Sequence, residues 1–202
     1  MLHAHLAPGP GHRLLDLGSG IGGIARAIHR RSGAEVVGID VSPRAIGIAS
    51  RRARGDGLDH AVTFVAGTLS HPPAVAATNA YAFDSLMFVP DQAAAIRRIG
   101  HSLEAGGRLF ATMLVLGSDG GDRLRRTLRS ADVRIERLDE VTDALRDRSR
   151  SRALAARSLL HRRSTTFRGR LAMLLVIGEE AFMQASIARG KARRFRVLVS
   201  YR

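Results

Sequence analysis

Cysteine and tryptophan are absent from this sequence, tyrosine occurs only twice, and Lys191 is the single lysine beside 31 arginines. Without cysteine there is no disulfide framework, no thiolate metal site and no cysteine nucleophile. With aromatics at 4% of the chain, platforms on which nucleic-acid bases stack are scarce. Long apolar runs are missing too. The longest, Leu171 to Ile177, stops at Gly178 and Glu179, far short of the roughly 20 residues that span a bilayer. The first residues lack the charged and apolar regions of a signal peptide, and His3 and His5 have no spacing that argues for a metal. A soluble, cytoplasmic, metal-free protein is therefore expected.

What is abundant is arginine. The formal net charge is +14 over 202 residues, a balance that ordinarily points to nucleic acid, an anionic membrane face or an acidic substrate. An excess of arginine over lysine this extreme reflects codon composition as much as binding. Fifteen of the arginines lie between Arg123 and Arg170, so the first half is much less basic. A solvated helical surface is favoured over a nucleic-acid footprint.

The 45% hydrophobic content and the length fit one globular domain over 1–202. Up to about residue 115, short apolar runs alternate with helical stretches, the pattern of a parallel α/β sheet. Strands are expected at Arg13 to Leu17, Glu35 to Ile39, Val62 to Ala66, Ala80 to Phe83 (very short) and Arg108 to Leu114, the last entered through a Gly106-Gly107 turn. Helices are expected at Ile21 to Arg31, Ser42 to Arg54 and Asp91 to Leu103. Ser42-Pro43 supplies an N-cap followed by proline at the first helical position. Further on, Asp122 to Ser130 reads as a basic helix, Val133 to Leu138 as a sixth strand and Arg194 to Tyr201 as a half-exposed final strand. Residues 140–190 read as a helical cover over the active site, broken near Ser164 to Thr166 and at Gly169.

The most informative stretch is Leu14-Leu15-Asp16-Leu17-Gly18-Ser19-Gly20-Ile21-Gly22-Gly23, which runs strand, glycine loop, helix. Glycines let the backbone turn tightly and approach a ligand, with helix N–H groups facing it. Asp40 lies at the end of the second strand, where a carboxylate can accept hydrogen bonds from both ribose hydroxyls. The glycines alone fit a dinucleotide as well as an adenosyl amino acid. Asp16, two residues before Gly18 and placed to orient the loop and reach an amino-acid moiety, tips the reading toward the latter, as does a chain too short for a separate dehydrogenase substrate domain.

In these segments the sequence resembles the class I S-adenosylmethionine (SAM)-dependent methyltransferases, particularly the small-molecule branch related to quinone-biosynthesis and glycine-type N-methyltransferases. Asp16 to Gly22 is similar to the first family motif and Val37 to Ser42 to the second-strand motif. Asp84 to Asp91 resembles the segment after strand four, and Leu103 to Leu109 the Leu-x-Pro-Gly-Gly-Arg turn. The resemblance implies a Rossmann-like doubly wound sheet of about seven strands, the last antiparallel, with a helical insertion before it. It implies SAM as cofactor, with Asp16 and the backbone of Gly18, Ser19 and Gly20 holding its methionine portion. Asp40 would bind the ribose, Val41 would pack on the adenine, and Gly67, Thr68 and Leu69 would line the adenine edge. Phe83 or Asp84 would face the sulfonium and the substrate. The chain departs from the family pattern at Thr68, where an aspartate is usual, and at Thr78-Asn79, where Phe-Asp is usual. Only about a dozen residues precede the first strand, so the family's N-terminal helices are expected to be truncated or replaced by a partner or by residues 140–190.

Methyl transfer from a sulfonium needs alignment and exclusion of water more than a strong base. The catalytic candidates are Asp84 at the strand tip and His161 in the covering segment. His71 and His101 read as surface. Arg162 and Arg163 could hold an anionic acceptor by forked hydrogen bonds. The expected reaction is methyl transfer to O, N or C of a small metabolite, by a protein that is compatible with a homo-oligomer. The alternatives are a methyltransferase-fold cyclase or isomerase holding SAM as a structural ligand, an RNA methyltransferase, or a non-catalytic subunit. Against RNA, the chain has Asp84-Ser85-Leu86-Met87 where base methylases place Asn-Pro-Pro or Asp-Pro-Pro followed by an aromatic.

Overall fold

The computed structural model describes residues 2–117, 119–160, 178 and 180–201. Along the chain come α1 (His3–Leu6), β1 (Arg13–Leu17), α2 (Gly23–Ser32), β2 (Glu35–Asp40), α3 (Pro43–Gly55), β3 (Val62–Ala66) and β4 (Ala77–Phe83). Then follow α4 (Gln92–Ile99), β5 (Leu103–Leu116), α5 (Gly120–Ser130), β6 (Arg134–Glu140), α6 (Thr142–Leu160), a helical stretch at 180–188, and β7 (Ala192–Ser200).

The seven strands order as β3-β2-β1-β4-β5-β7-β6. The pairs β1–β2, β2–β3, β1–β4 and β4–β5 are parallel. The end of the sheet runs the other way: Tyr201 N–H donates to Gly107 O and Gly117 N–H to Lys191 O, so β7 climbs as β5 descends. This is the expected doubly wound sheet with its reversed final strand. Right-handed crossovers put α2 and α3 on one face, and the chain's change of direction at β4 sends α4 to the other. The order reverses between β1 and β4, which opens a crevice at their carboxyl ends.

Two compact units divide the chain: residues 1–113, 124–139 and 196–202, and residues 114–123 and 140–195. In the first, Leu14, Val36, Val62, Tyr81 and Phe110 form a core with Ala25 and Ile28 of α2. Leu6 of the short α1 and Leu2 just before it join this core, and His5 stacks on Phe110 with ring centroids 5.1 Å apart. No periodicity announces so short a helix. The two leucines hold because they bury against the sheet face. In the second unit a smaller core gathers Ile187 and Ala192 with Leu114 and Met183. Phe182, in the 180–188 helical stretch, is 70% exposed. The breaks expected near Ser164 to Thr166 and Gly169, along with His161, Arg162 and Arg163, lie outside the described residues. Among the described arginines several are ion-paired: Arg196 to Asp139 (2.6 Å), Arg146 to Asp143 (3.0 Å), Arg193 to Glu140 (3.7 Å).

Among the boundaries that differ from the sequence reading, three have a clear local reason. β4 begins at Ala77, not Ala80. Its polar start is tolerated because Thr78 Oγ1 donates to Arg13 O (2.8 Å) and Asn79 Oδ1 accepts from Arg108 N–H (2.9 Å). β5 begins at Leu103, and Gly106-Gly107 sits inside it. A register shift in β4 between Ala77 and Asn79 absorbs the extra residues as a bulge, with Gly106 at φ +77°. The helix after β4 is α4 only to Ile99, followed by a 3-10 turn over Gly100–Ser102. Tyr201 closes that end, its ring against Gly100 and its hydroxyl donating to Ile96 O at 2.7 Å.

Candidate functional site

β1 delivers the chain into the glycine loop with Leu14, Leu15 and Leu17 fully buried, so the loop starts from a rigid base. Gly18 adopts φ +84°, and a Cβ there would lie 2.4 Å from the Ser85 Cβ. Only glycine fits both demands. Ser85, just past β4, completes the contact by donating its hydroxyl to Leu17 O at 2.5 Å. The loop after β1 and the turn after β4 are thereby locked together at the crevice. Ser85 was not among the expected site residues; its signal in the sequence was only its place next to Asp84.

The loop's own N–H groups are largely consumed. Gly18 and Ser19 both donate to Ile39 O (2.9 Å each), Gly20 donates to Asp40 Oδ2 (2.8 Å), and Gly22 donates to Ser19 O (3.0 Å). Asp40 Oδ1 accepts from Ser42 N–H (2.9 Å), whose hydroxyl in turn caps α3 by accepting from Ala45 N–H (3.2 Å). Asp40 thus ties the glycine loop to the start of α3. This corrects one expectation: the carboxylate tied to the loop is Asp40, since among the described residues no hydrogen bond joins Asp16 to the loop. The N–H groups of Gly18, Ser19 and Gly20 are taken by Ile39 and Asp40.

What the cradle offers instead is acceptor character. Asp16 is 2% exposed, and burial, with the nearby charge of Asp40, pushes its carboxyl up to about 7 against the opposing pull of Tyr81. Asp16 Oδ2 and Ser19 Oγ are buried without a hydrogen-bond partner. Two carboxylates and an unpaired hydroxyl suit a cationic group, and an adenosyl amino acid, bearing an ammonium and a sulfonium, fits these residues.

A protein-family model described as a methyltransferase domain matches residues 14–107, the stretch from β1 to the bulge of β5. Methyltransferase GfsG of Streptomyces halstedii is 32% identical over 120 residues, covering 58% of this chain and 43% of that protein. Sterol 24-C-methyltransferase of Aspergillus fumigatus is 30% identical over 138 residues, covering 67% of this chain and 36% of that protein. Over residues 14–107 the chain thus carries a methyltransferase-domain match, and it is similar to SAM-dependent methyltransferases. It spans less than half the length of these curated relatives. The solved structure of the [4+2]-cyclase SpnF superposes with a TM-score of 0.77 at 24% identity, over 98% of this chain and 78% of that one, a likeness of fold.

The remaining expected positions fall around the same crevice edge or behind it. Val41, directly after Asp40, is 74% exposed. Gly67 donates its N–H to Asp40 O (2.9 Å), which brings the loop after β3 alongside; Thr68 is exposed and Leu69 half-buried. Phe83 turns inward. Its ring meets Tyr81 and Phe110 at centroid distances of 5.6 and 6.0 Å, so it supports the strand tip from below. Asp84 takes φ +54°, an unusual conformation for a non-glycine residue. It is held at Oδ1 by the Thr112 hydroxyl (3.0 Å), while its N–H donates to Thr112 O (2.9 Å). A strained carboxylate braced at a strand tip is a common mark of function. Thr112, 2% exposed on β5, could not have been matched to Asp84 without the strand order. His71 and His101 are exposed. Among the described residues, no three histidine or acidic side chains are placed to hold a metal, and no helix is long and apolar enough to cross a membrane.

Proposed function

We propose that this chain transfers the methyl group of SAM to an oxygen, nitrogen or carbon nucleophile of a small cytoplasmic metabolite. The observation that carries the reading is the acceptor-lined cradle at the β1–β4 crevice, where Asp16 and Ser19 keep buried oxygens unpaired beside Asp40. Bound SAM supplies an electrophilic methyl group and a thioether leaving group. Asp16, with the carbonyl groups of Gly18, Ser19 and Gly20, would hold the ammonium end. Asp40 keeps lone pairs beyond those engaged by Gly20 and Ser42, and these would accept from the ribose hydroxyls. Val41 would cover one adenine face, with Gly67, Thr68 and Leu69 at its edge. Asp84, braced by Thr112, would orient the acceptor or take its proton. His161 is retained as a second candidate for that task, and Arg162 and Arg163 as contacts for an anionic acceptor. The sterol methyltransferase relative supports a small organic acceptor.

The test is transfer of labelled methyl from SAM to a panel of small-molecule acceptors. Acceptor-dependent labelling is expected, with Asp84→Asn lowering kcat far more than it weakens SAM binding. Tight SAM binding with no transfer to any acceptor would favour a cyclase or isomerase use of the fold. Binding of RNA with a steep dependence on salt would move the reading to nucleic acid.

A further inference from the structure

Among the described residues of the first unit, the large apolar side chains that remain exposed all sit at one edge of the sheet. They are Val65 near the end of β3, Val41 directly after β2, Ile21 in the glycine loop, Ile24 in the first turn of α2, and Phe88 in the 3-10 turn Leu86–Phe88 after β4. In the strand order β3-β2-β1-β4 they make a row along the carboxyl ends. The opposite edge, where the helices end, carries charge instead. Arg30 and Arg31 close α2, Arg52 and Arg54 close α3, and Arg97 and Arg98 close α4. Single exposed hydrophobes are ordinary, but their segregation to one edge is not. Phe88 is the most exposed of the row at 79%, yet its turn is firmly seated. Leu86 and Val89 on either side are buried, and Phe88 N–H donates to Ser85 O at 3.2 Å. Ser85 in turn abuts Gly18 and bonds Leu17 O. An anchored turn thus displays the ring to solvent beside the glycine loop.

We propose that Phe88, Ile21 and Ile24 form the surface that selects the methyl acceptor, and that this acceptor is an uncharged molecule whose apolar body lies on them. The proposal rests on the SAM-binding reading above. Val41 and Val65 stand at the tips of β2 and β3, beside the expected adenine positions. Ile21, Ile24 and Phe88 belong to the tips of β1 and β4, which flank the crevice and Asp84. Charge argues for the same occupant. The acidic groups along this edge include Asp40 and Asp84, while Asp91 caps α4 by accepting from Ala94 N–H at 2.9 Å. Of the arginines in the first turns of α2 and α3, Arg26 is paired with Asp56, and Arg44 stands on the adenine side. A negatively charged acceptor would meet like charge at Asp84, whereas an apolar one gains with every methylene group it buries. Apolar walls with a few oriented polar groups are the usual build of a small-molecule pocket.

The test is fluorescence titration of the full chain loaded with S-adenosylhomocysteine, using Nile red as a neutral apolar probe displaced by straight-chain alcohols. From hexanol to octanol to decanol, Kd should tighten roughly three- to fourfold for each added methylene. Decanoate should bind roughly tenfold more weakly than decanol. Phe88→Ser should weaken decanol roughly tenfold and leave the melting temperature unchanged, since the ring is exposed in the free protein. Ile24→Ser should weaken decanol too, whereas Val65→Ser, at the far end of the row, should not. The wild-type series decides the acceptor class even if a variant fails to fold. SAM binding together with alcohol affinities that ignore chain length, with decanoate as tight as decanol, or with no loss in Phe88→Ser, overturns this proposal alone. A chain that self-associates by light scattering, and that Phe88→Ser returns to monomer, also overturns it, because a second copy then covers the row. Failure to bind SAM or S-adenosylhomocysteine overturns the functional reading and this proposal with it.

Discussion

Asp40→Asn separates the structural work of this side chain from its work on a ligand. Its two oxygens accept from Gly20 N–H at 2.8 Å and Ser42 N–H at 2.9 Å. Asparagine offers one carbonyl oxygen and one amide nitrogen. Whichever way the amide turns, one of those N–H groups faces another donor. Hydrogen bonds to a charged group contribute about 1.5–3 kcal/mol, and an unsatisfied donor costs about 1–3 kcal/mol. Asp40 is only half-buried, so water relieves part of this and about 1–2 kcal/mol is the expected net loss. For a chain of this size the melting temperature should fall by about 2–8 °C. SAM at a hundredfold excess over the wild-type Kd stabilises the wild type by about 2.7 kcal/mol. If losing the carboxylate weakens SAM tenfold, the same concentration stabilises the variant by only about 1.4 kcal/mol. Thermal unfolding with and without SAM reads both effects. A variant that melts with the wild type and gains the same increment from SAM would refute the role assigned to Asp40 in tying the loop to α3 and in holding the ligand.

Two further outcomes follow from the packing. Gly38→Ala keeps an accessible backbone conformation but puts a Cβ 2.6 Å from the Phe64 ring and 2.8 Å from Ser19 Cβ. Overpacking of this kind costs about 1–3 kcal/mol, seen as a lower denaturation midpoint, and the pressure on Ser19 should weaken SAM as measured by titration. Asp56 receives Arg26 and Arg30 from α2, and the hydrogen bond from Arg26 is the main cause that holds its carboxyl below the ordinary value of 3.8. A depressed carboxyl stabilises the fold above its unfolded pKa and loses that contribution as pH falls through the folded one. Asp56→Asn should therefore lower stability at pH 7 while flattening its decline below pH 4; an unchanged acid limb would count against the pairing.

Much of the first half was legible because its signals are local. The Ser42-Pro43 cap, the apolar runs of β1 to β3 and the glycine loop each lie within a few residues of sequence. The start of β4 was not legible. Thr78 and Asn79 look like loop residues until Arg13 and Arg108 arrive to satisfy their side chains. The glycine pair in β5 reads as a turn for the same reason, since the bulge that absorbs it exists only opposite Ala77 and Asn79.

Sequence alone was enough for the parallel sheet, the crevice loop and the carboxylate at the tip of the second strand, since periodicity and turn chemistry are short-range. Tertiary structure decided which way those groups face. The donors of Gly18, Ser19 and Gly20 turn inward to residues about twenty positions ahead, and Asp16 meets Tyr81 only because β4 inserts beside β1. Those pairings depend on strand order, a long-range property that no local pattern encodes.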